Sequence, residues 1–208
     1  MNEYHKINSI YKRDMLAAGS PILVGQYSRA EFAYLANNEW EWTEKVDGTN
    51  IRIMWDEAGV RFGGKTERAL LPAKLVVRLQ ELFPDDAKFK EVFDEPGVCL
   101  YGEGYGPGIQ KGGGNYRDSQ DFVLFDIKIG GWWLRSNDVL DIGRQMGLDV
   151  VPVVGSGNLP TCVSVVQAGF ESQWGHFPAE GIVARPAVDL RERSGERIIV
   201  KVKTRDFA

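Results

Sequence analysis

The segment Thr43-Glu44-Lys45-Val46-Asp47-Gly48-Thr49-Asn50-Ile51-Arg52-Ile53-Met54-Trp55 decides how this 208-residue chain is read. Residues 40–45 and 49–56 carry the apolar and β-branched side chains of two strands, and Asp47-Gly48 between them is a strong turn signal. Lys45 stands at the last position before the turn. A lysine beside a turn is often merely solvated. One at the end of a strand is also placed as a nucleophile, provided burial or nearby positive charge lets an ε-amine shed its proton.

Working outward, a chain of this length is one sizeable domain or two small ones, with ordinary apolar and charged fractions. No apolar run reaches the roughly 20 residues of a membrane span, and the start lacks the apolar core of a signal peptide. Cys99 and Cys162 each lie in an apolar stretch and read as reduced core residues of a cytoplasmic protein. With only His5 and His176, a zinc site or a histidine-based triad is disfavoured. A net charge of −4 argues against bulk electrostatic coating of nucleic acid. The C-terminal stretch is locally basic, with Arg185, Arg191, Arg193, Arg197, Lys201, Lys203 and Arg205 suited to an anion or to plain solvation.

No repeat or long linker divides the chain. The segment before Asn38 combines a helix over residues 28–36, with Ser28 as its N-cap, and irregular chain. A third strand is expected at 60–63. Pro72 opens an amphipathic helix carrying Leu75, Val76, Leu79, Leu82 and Phe83 at helical spacing, and a short helix follows Pro84. Residues 98–102 and 122–129 read as strands flanking a glycine-rich segment. Ser136 caps a helix ending near Gly147, 148–154 is a strand, a helix follows Pro160, and strands cover 181–185 and 197–203. The class is α+β with mainly antiparallel sheets flanked by helices; a Rossmann alternation is absent.

Five further features bear on Lys45. Glu103 lies between Gly102 and Gly104 at a strand end, where backbone and ligand can approach closely. Phe125 precedes Asp126 in a strand and can be core or can stack on a base. Glu180 opens an apolar strand and suits a metal or a surface position. Lys201 and Lys203, two apart in a strand, point to one side and call for an anion between them, unless they simply protect an edge. Gly63-Gly64-Lys65-Thr66-Glu67-Arg68 adds two cations.

The ordered set Lys45-Val46-Asp47-Gly48, Gly102-Glu103, Phe125-Asp126, Glu180-Gly181-Ile182-Val183-Ala184-Arg185 and Lys201-Val202-Lys203 resembles the covalent nucleotidyltransferase superfamily of ATP-dependent DNA ligases, RNA ligases and capping enzymes. Thr49-Asn50 and the run from Gly102 to Gly114 resemble nick-sealing phage RNA ligases. The resemblance implies a nucleotidyltransferase (ATP-grasp-like ligase adenylation) fold, one adenylyltransferase domain, and ATP with Mg²⁺ or Mn²⁺ as cofactors. It implies that Lys45 forms lysyl-AMP. Glu44 would hydrogen-bond the adenine and Phe125 stack on it. Asn50 and Glu103 would meet the ribose, Glu180 would bind the metal, and Lys201 and Lys203 would hold the α-phosphate. The partner implied is RNA with 5′-phosphate and 3′-hydroxyl ends, in particular a nicked duplex. The alternatives are a minimal DNA ligase, or a binding module needing a partner subunit or a second copy of itself.

Two departures qualify the resemblance. Phage RNA ligases usually have arginine where this chain has Lys65, which lacks the bidentate fork, so Lys65 acts as a point charge or Arg68 substitutes. Only five residues follow Lys203, leaving no room for a C-terminal OB-fold or helical domain, so self-adenylylation is the better-supported expectation. Lys111, Tyr116 and Arg117 of the glycine-rich loop either touch RNA or belong to a mobile loop.

Overall fold

The computed structural model describes residues 3–207 and divides into two compact units, each built from separate stretches of chain. His5–Val46 and the chain from Pro152 onward form one, called here the lysine unit; Asp47–Val151, with Glu3 and Tyr4, forms the other, the loop unit.

The lysine unit contains β1 (Asn8–Ser9), β2 (Tyr11–Arg13), β3 (Ile22–Tyr27), α1 (Ala30–Tyr34) and β4 (Trp40–Glu44), then β10 (Val153–Gly157), α5 (Leu159–Ala168), β11 (Gly181–Pro186) and β12 (Val200–Lys203). Its main sheet has the order β1-β12-β11-β4-β10, antiparallel throughout except for β1 on β12; β2 and β3 form a separate hairpin. Alternation along β4 buries Trp40, Trp42 and Glu44 and leaves Glu41 and Thr43 half-buried. The two tryptophans join Ile182, Ala184, Val200 and Val202 in a core with Phe32 of α1 and Leu159, Cys162, Val163 and Val166 of α5. α5 begins where Asn158 Oδ1 accepts the Thr161 N–H at 2.8 Å, with Pro160 in the first turn.

The loop unit contains β5 (Thr49–Asp56), β6 (Gly59–Gly63), α2 (Ala73–Leu82), α3 (Ala87–Val92), β7 (Val98–Tyr105), β8 (Asp121–Ile129), β9 (Trp132–Trp133) and α4 (Ser136–Gln145). Its sheet, β6-β5-β7-β8-β9, is wholly antiparallel. Ile51, Ile53, Leu100, Phe122, Leu124 and Ile127 pack with Leu75 and Leu79 of α2, Phe89 of α3 and Val139 of α4. Burying each such side chain contributes about 1.5–3 kcal/mol. Asn50, Arg52, Tyr101, Glu103 and Asp126 pair with one another in register, Asn50 with Glu103 and Tyr101 with both Arg52 and Asp126, so polar groups gather on the side of the sheet away from that apolar set.

The expected class, α+β with mainly antiparallel sheets, is what the chain forms, and Cys99 and Cys162 are buried thiols. No helix of the described residues is long and apolar enough to cross a membrane. Four local expectations are corrected. Arg29, not Ser28, caps α1, because the Ser28 hydroxyl donates to the Ser9 carbonyl. Arg135, not Ser136, occupies the cap of α4, a one-residue shift typical of helix ends. The segment before residue 28 forms β1 to β3 rather than irregular chain. The apolar run 148–154 is no single strand: Val150 bridges Leu124 in the loop unit, and β10 starts at Val153 against β4 in the lysine unit. One hydrophobic run serves two cores there.

Close packing of β7 on β8 depends on Gly102, whose Cβ would lie 2.2 Å from the Val123 carbonyl oxygen and 2.3 Å from the Phe122 ring. Gly102→Ala is expected to cost about 1–3 kcal/mol through overpacking, read as a lower denaturant midpoint. Gly114→Ala, which meets nothing within 4 Å, serves as the neutral control. Equal midpoints for the two variants would contradict this account of the strand contact.

Candidate nucleotide site

In the lysine unit three adjacent strands set Lys45 beside Gly181 and Gly181 beside Lys203. The Lys45 N–H donates to the Gly181 carbonyl at 2.9 Å, and Gly181 pairs with Lys203 in the β11–β12 register. Gly181 has φ +152°, and a Cβ there would lie 2.1 Å from the Val202 oxygen, so only glycine lets β11 start this close to β12. Glu180, one residue earlier, is tied down by Thr204, whose N–H donates to the Glu180 carbonyl at 2.9 Å and whose hydroxyl donates to the Ala179 carbonyl.

Glu180 thereby reaches both lysines. Lys45 Nζ donates to Oε2 at 2.5 Å, and Lys203 Nζ donates to Oε1 at 2.8 Å. Side-chain exposures of 20% for Lys45, 13% for Lys203 and 12% for Glu180 put these charges largely out of solvent, where pairing counts for more than at an open surface. Lys201 follows the same alternation as Lys203, both half-buried and alternating with buried Val200 and Val202. The anion that paired lysines call for is therefore partly internal, since Glu180 already meets Lys203. Among the described residues no three His, Cys, Asp or Glu side chains gather into a metal cluster. One carboxylate fits a hard divalent cation held mostly by water and substrate oxygens.

Glu44 is a neighbour of Lys45 in sequence but not in surroundings. Only 1% exposed, its carboxylate accepts the Ser172 hydroxyl at 2.6 Å and the Gln173 N–H at 2.8 Å. These two bonds close the loop of residues 171–178 against β4 and fix the carboxylate from which the adenine hydrogen bond is expected. Burial pushes its pKa above the ordinary carboxylate range, although both hydrogen bonds pull the other way.

In the loop unit, Asn50 and Glu103 are direct partners across β5 and β7. Asn50 Oδ1 is buried and accepts no hydrogen bond from a described residue, an acceptor that a ligand hydroxyl would satisfy. Gly48 packs onto this pair, for a Cβ would meet the Gly104 oxygen at 2.2 Å and the Glu103 side chain at 2.8 Å. The glycine-rich loop holds the same turn: Gln110 Nε2 donates to the Gly48 carbonyl at 3.1 Å, and Tyr116 OH accepts the Asp47 N–H at 3.1 Å. Arg117 is paired with Asp121 at 2.6 Å and reaches Asp149. Tyr116 and Arg117 are thus internal supports rather than a mobile fringe, whereas Lys111 is exposed.

Lys65 and Arg68 are both exposed, and neither makes an ion pair with a described residue. Their loop is braced by Arg52, fully buried, which donates to the Gly64 carbonyl and to Glu67, both at 2.8 Å. Phe125 is half-buried and lies where the β7–β8 register slips, Tyr101 facing Asp126 but Gly102 facing Leu124. Its ring meets Tyr4 edge-on at 5.1 Å. Sequence reasoning missed Arg52, Ser172 and Tyr4. Arg52 within an apolar strand was a visible signal; the other two had none.

Glu44 makes a pH dependence testable. Its raised pKa means that its stabilising share is present below the ordinary glutamate range and lost as pH rises through the folded value. Glu44→Gln, neutral at every pH, should therefore gain in melting temperature relative to the parent as pH climbs from about 4 to about 7. A difference that stays constant over that interval would contradict the assignment.

Comparison with known proteins places these residues in context. The RNA ligase family model matches residues 38–203, most of the chain. No curated protein matches the sequence. Among solved structures, a lysine-to-alanine variant of Naegleria gruberi RNA ligase with ATP and Mn superposes with a TM-score of 0.67 at 16% identity, covering 85% of this chain and 52% of that one. The same ligase with PPi gives 0.66 at 17% identity, covering 85% and 52%. A glutamate-to-alanine variant with ATP and Mn gives 0.68 at 14% identity, covering 95% and 59%. The chain spans about half the length of the ligase structures it matches, and shares their fold.

Proposed function

Because the chain belongs to the RNA ligase family, we propose that it carries the adenylyltransferase chemistry of an ATP-dependent RNA ligase on a nucleotidyltransferase fold, with Lys45 as the residue that accepts AMP. The observation behind this reading is the Glu180 carboxylate shared between Lys45 and Lys203. The similar Naegleria ligase structures, solved with ATP and Mn or with PPi, support the choice of nucleotide and of a divalent metal.

The Lys45 ammonium must lose a proton before it attacks, and Glu180 Oε2 is an acceptor within hydrogen-bond reach. The freed Nζ attacks the α-phosphorus of ATP; a P–N bond forms and the bond to pyrophosphate breaks. AMP then passes to a 5′-phosphate end of RNA, and a 3′-hydroxyl displaces it to form the phosphodiester. Each transition state gathers negative charge on phosphate, so positioning and neutralisation carry the rate. Lys203 exchanges Glu180 for the α-phosphate, with Lys201 on the same side of the strand. Glu180 would hold Mg²⁺ or Mn²⁺, which would supply further charge neutralisation. On the loop unit, Asn50 Oδ1 accepts a ribose hydroxyl beside Glu103, Phe125 stacks on adenine, and Lys65 meets phosphate as a point charge.

Incubation with α-labelled ATP and Mg²⁺ is expected to label the polypeptide, and Lys45→Ala to abolish the label. Lys203→Ala should lower the labelling rate by at least about tenfold, as expected for loss of an electrostatic stabiliser. Chasing the labelled protein with nicked duplexes bearing RNA or DNA at the 3′-hydroxyl tests the substrate, transfer to the RNA-bearing nick being expected. Absence of label with every divalent metal would overturn the reading.

A further inference from the structure

A bulge in β8 raises a positioning problem that the sheet alone does not solve. Between Leu124, paired with Gly102, and Asp126, paired with Tyr101, Phe125 is the extra residue of the β8 register. Ladder hydrogen bonds orient the side chains of paired residues; a bulged residue is aimed by whatever packs on it. Tyr4 does that packing. Its ring contacts Phe125 at 5.1 Å and 72°, and its hydroxyl donates to Asp126 Oδ2 at 2.8 Å. One side chain thus grips both residues at the irregularity.

Tyr4 is itself fixed. It is 6% exposed, and its ring also meets Tyr101 at 5.1 Å and Trp133 at 5.6 Å, while those two rings lie 5.1 Å apart. Lys128 sits 5.4 Å above the Trp133 ring, and Asp126, fully buried, accepts its anchor from Tyr4 and also the Ile127 N–H at 3.2 Å. Next to Tyr4, Glu3 accepts the Glu67 N–H at 3.2 Å, which ties this short segment to the loop after β6. An edge-to-face neighbour on one ring restrains its tilt without needing that ring's whole surface.

We propose that Tyr4 is a positioning residue for the nucleotide base: it holds the Phe125 ring at the β8 bulge in the orientation in which it stacks on adenine. The inference rests on the stacking role given to Phe125 above. Tyr4 acts on the base through the Phe125 ring, so its effect falls on affinity for the base and not on phosphoryl transfer.

The test measures the rate of self-adenylylation against ATP concentration for the parent, Phe125→Ala, Tyr4→Ala and Tyr4→Phe. Tyr4→Ala is expected to raise half-saturating ATP roughly three- to tenfold, the size of an aromatic pair contribution, with the limiting rate within about twofold. Tyr4→Phe keeps the ring and loses only the Asp126 anchor, so it should fall between the parent and Tyr4→Ala. Inhibition by inorganic tripolyphosphate, which has no base, should be unchanged in every variant. Should Tyr4→Ala fold poorly, Tyr4→Phe still reads the anchor through the same shift. The proposal is overturned if Phe125→Ala raises half-saturating ATP while both Tyr4 variants leave it at the parent value, or if the Tyr4 variants lower only the amount of active protein. A parent protein that takes no label defeats the catalytic reading itself, and this inference with it.

Discussion

Two ammonium groups, Lys45 on β4 and Lys203 on β12, share the single carboxylate of Glu180, and much of the lysine unit can be understood as the frame for that contact. The row requires three strands in adjacent positions, a glycine at 181 where any side chain would strike the Val202 carbonyl, and a threonine at 204 to anchor the Glu180 backbone. With exposures of 12–20%, removal of the carboxylate would leave two like charges facing each other in poor solvent contact. On the proposed reading, phosphate oxygens would take over the lysines and Glu180 would hold a divalent cation supplying further positive charge.

The glycine-rich segment after β7 has a different task from the one its composition suggests. Gln110 and Tyr116 hold the Gly48 carbonyl and the Asp47 amide, and Gly48 packs directly on Glu103 and Gly104. The turn after Lys45 is thus specified by contacts from a segment more than sixty residues away in sequence. Glu44 contributes from the buried side by fastening Ser172 and Gln173 to the same strand.

Much of this was legible in the residues. The β-rich make-up of residues 49–56 and the helical spacing of Leu75 and Leu79 identified β5 and α2, and the period-two rule placed Lys201 and Lys203 on one side of a strand. β1 and β2 escaped notice since strands of two and three residues leave no periodic trace, and six-residue β3 was read as irregular chain. The run at 148–154 misled because apolarity marks burial without saying in which core. Ser28 and Ser136 were plausible caps from their chemistry alone, but tertiary partners and one-residue end shifts decided otherwise. Within the site, pairing of Asn50 with Glu103 follows from register, while the Tyr4 contact with Phe125 and the Ser172 contact with Glu44 join segments more than a hundred residues apart and have no local signature.

The most direct test is to locate the covalent adduct itself. After incubation with ATP and Mg²⁺, the intact protein should gain the mass of one AMP, and peptide mapping should place it on the peptide containing Lys45 as an acid-labile phosphoramidate. An adduct mapped to another residue, or joining of RNA ends by a protein that never carries one, would contradict the account.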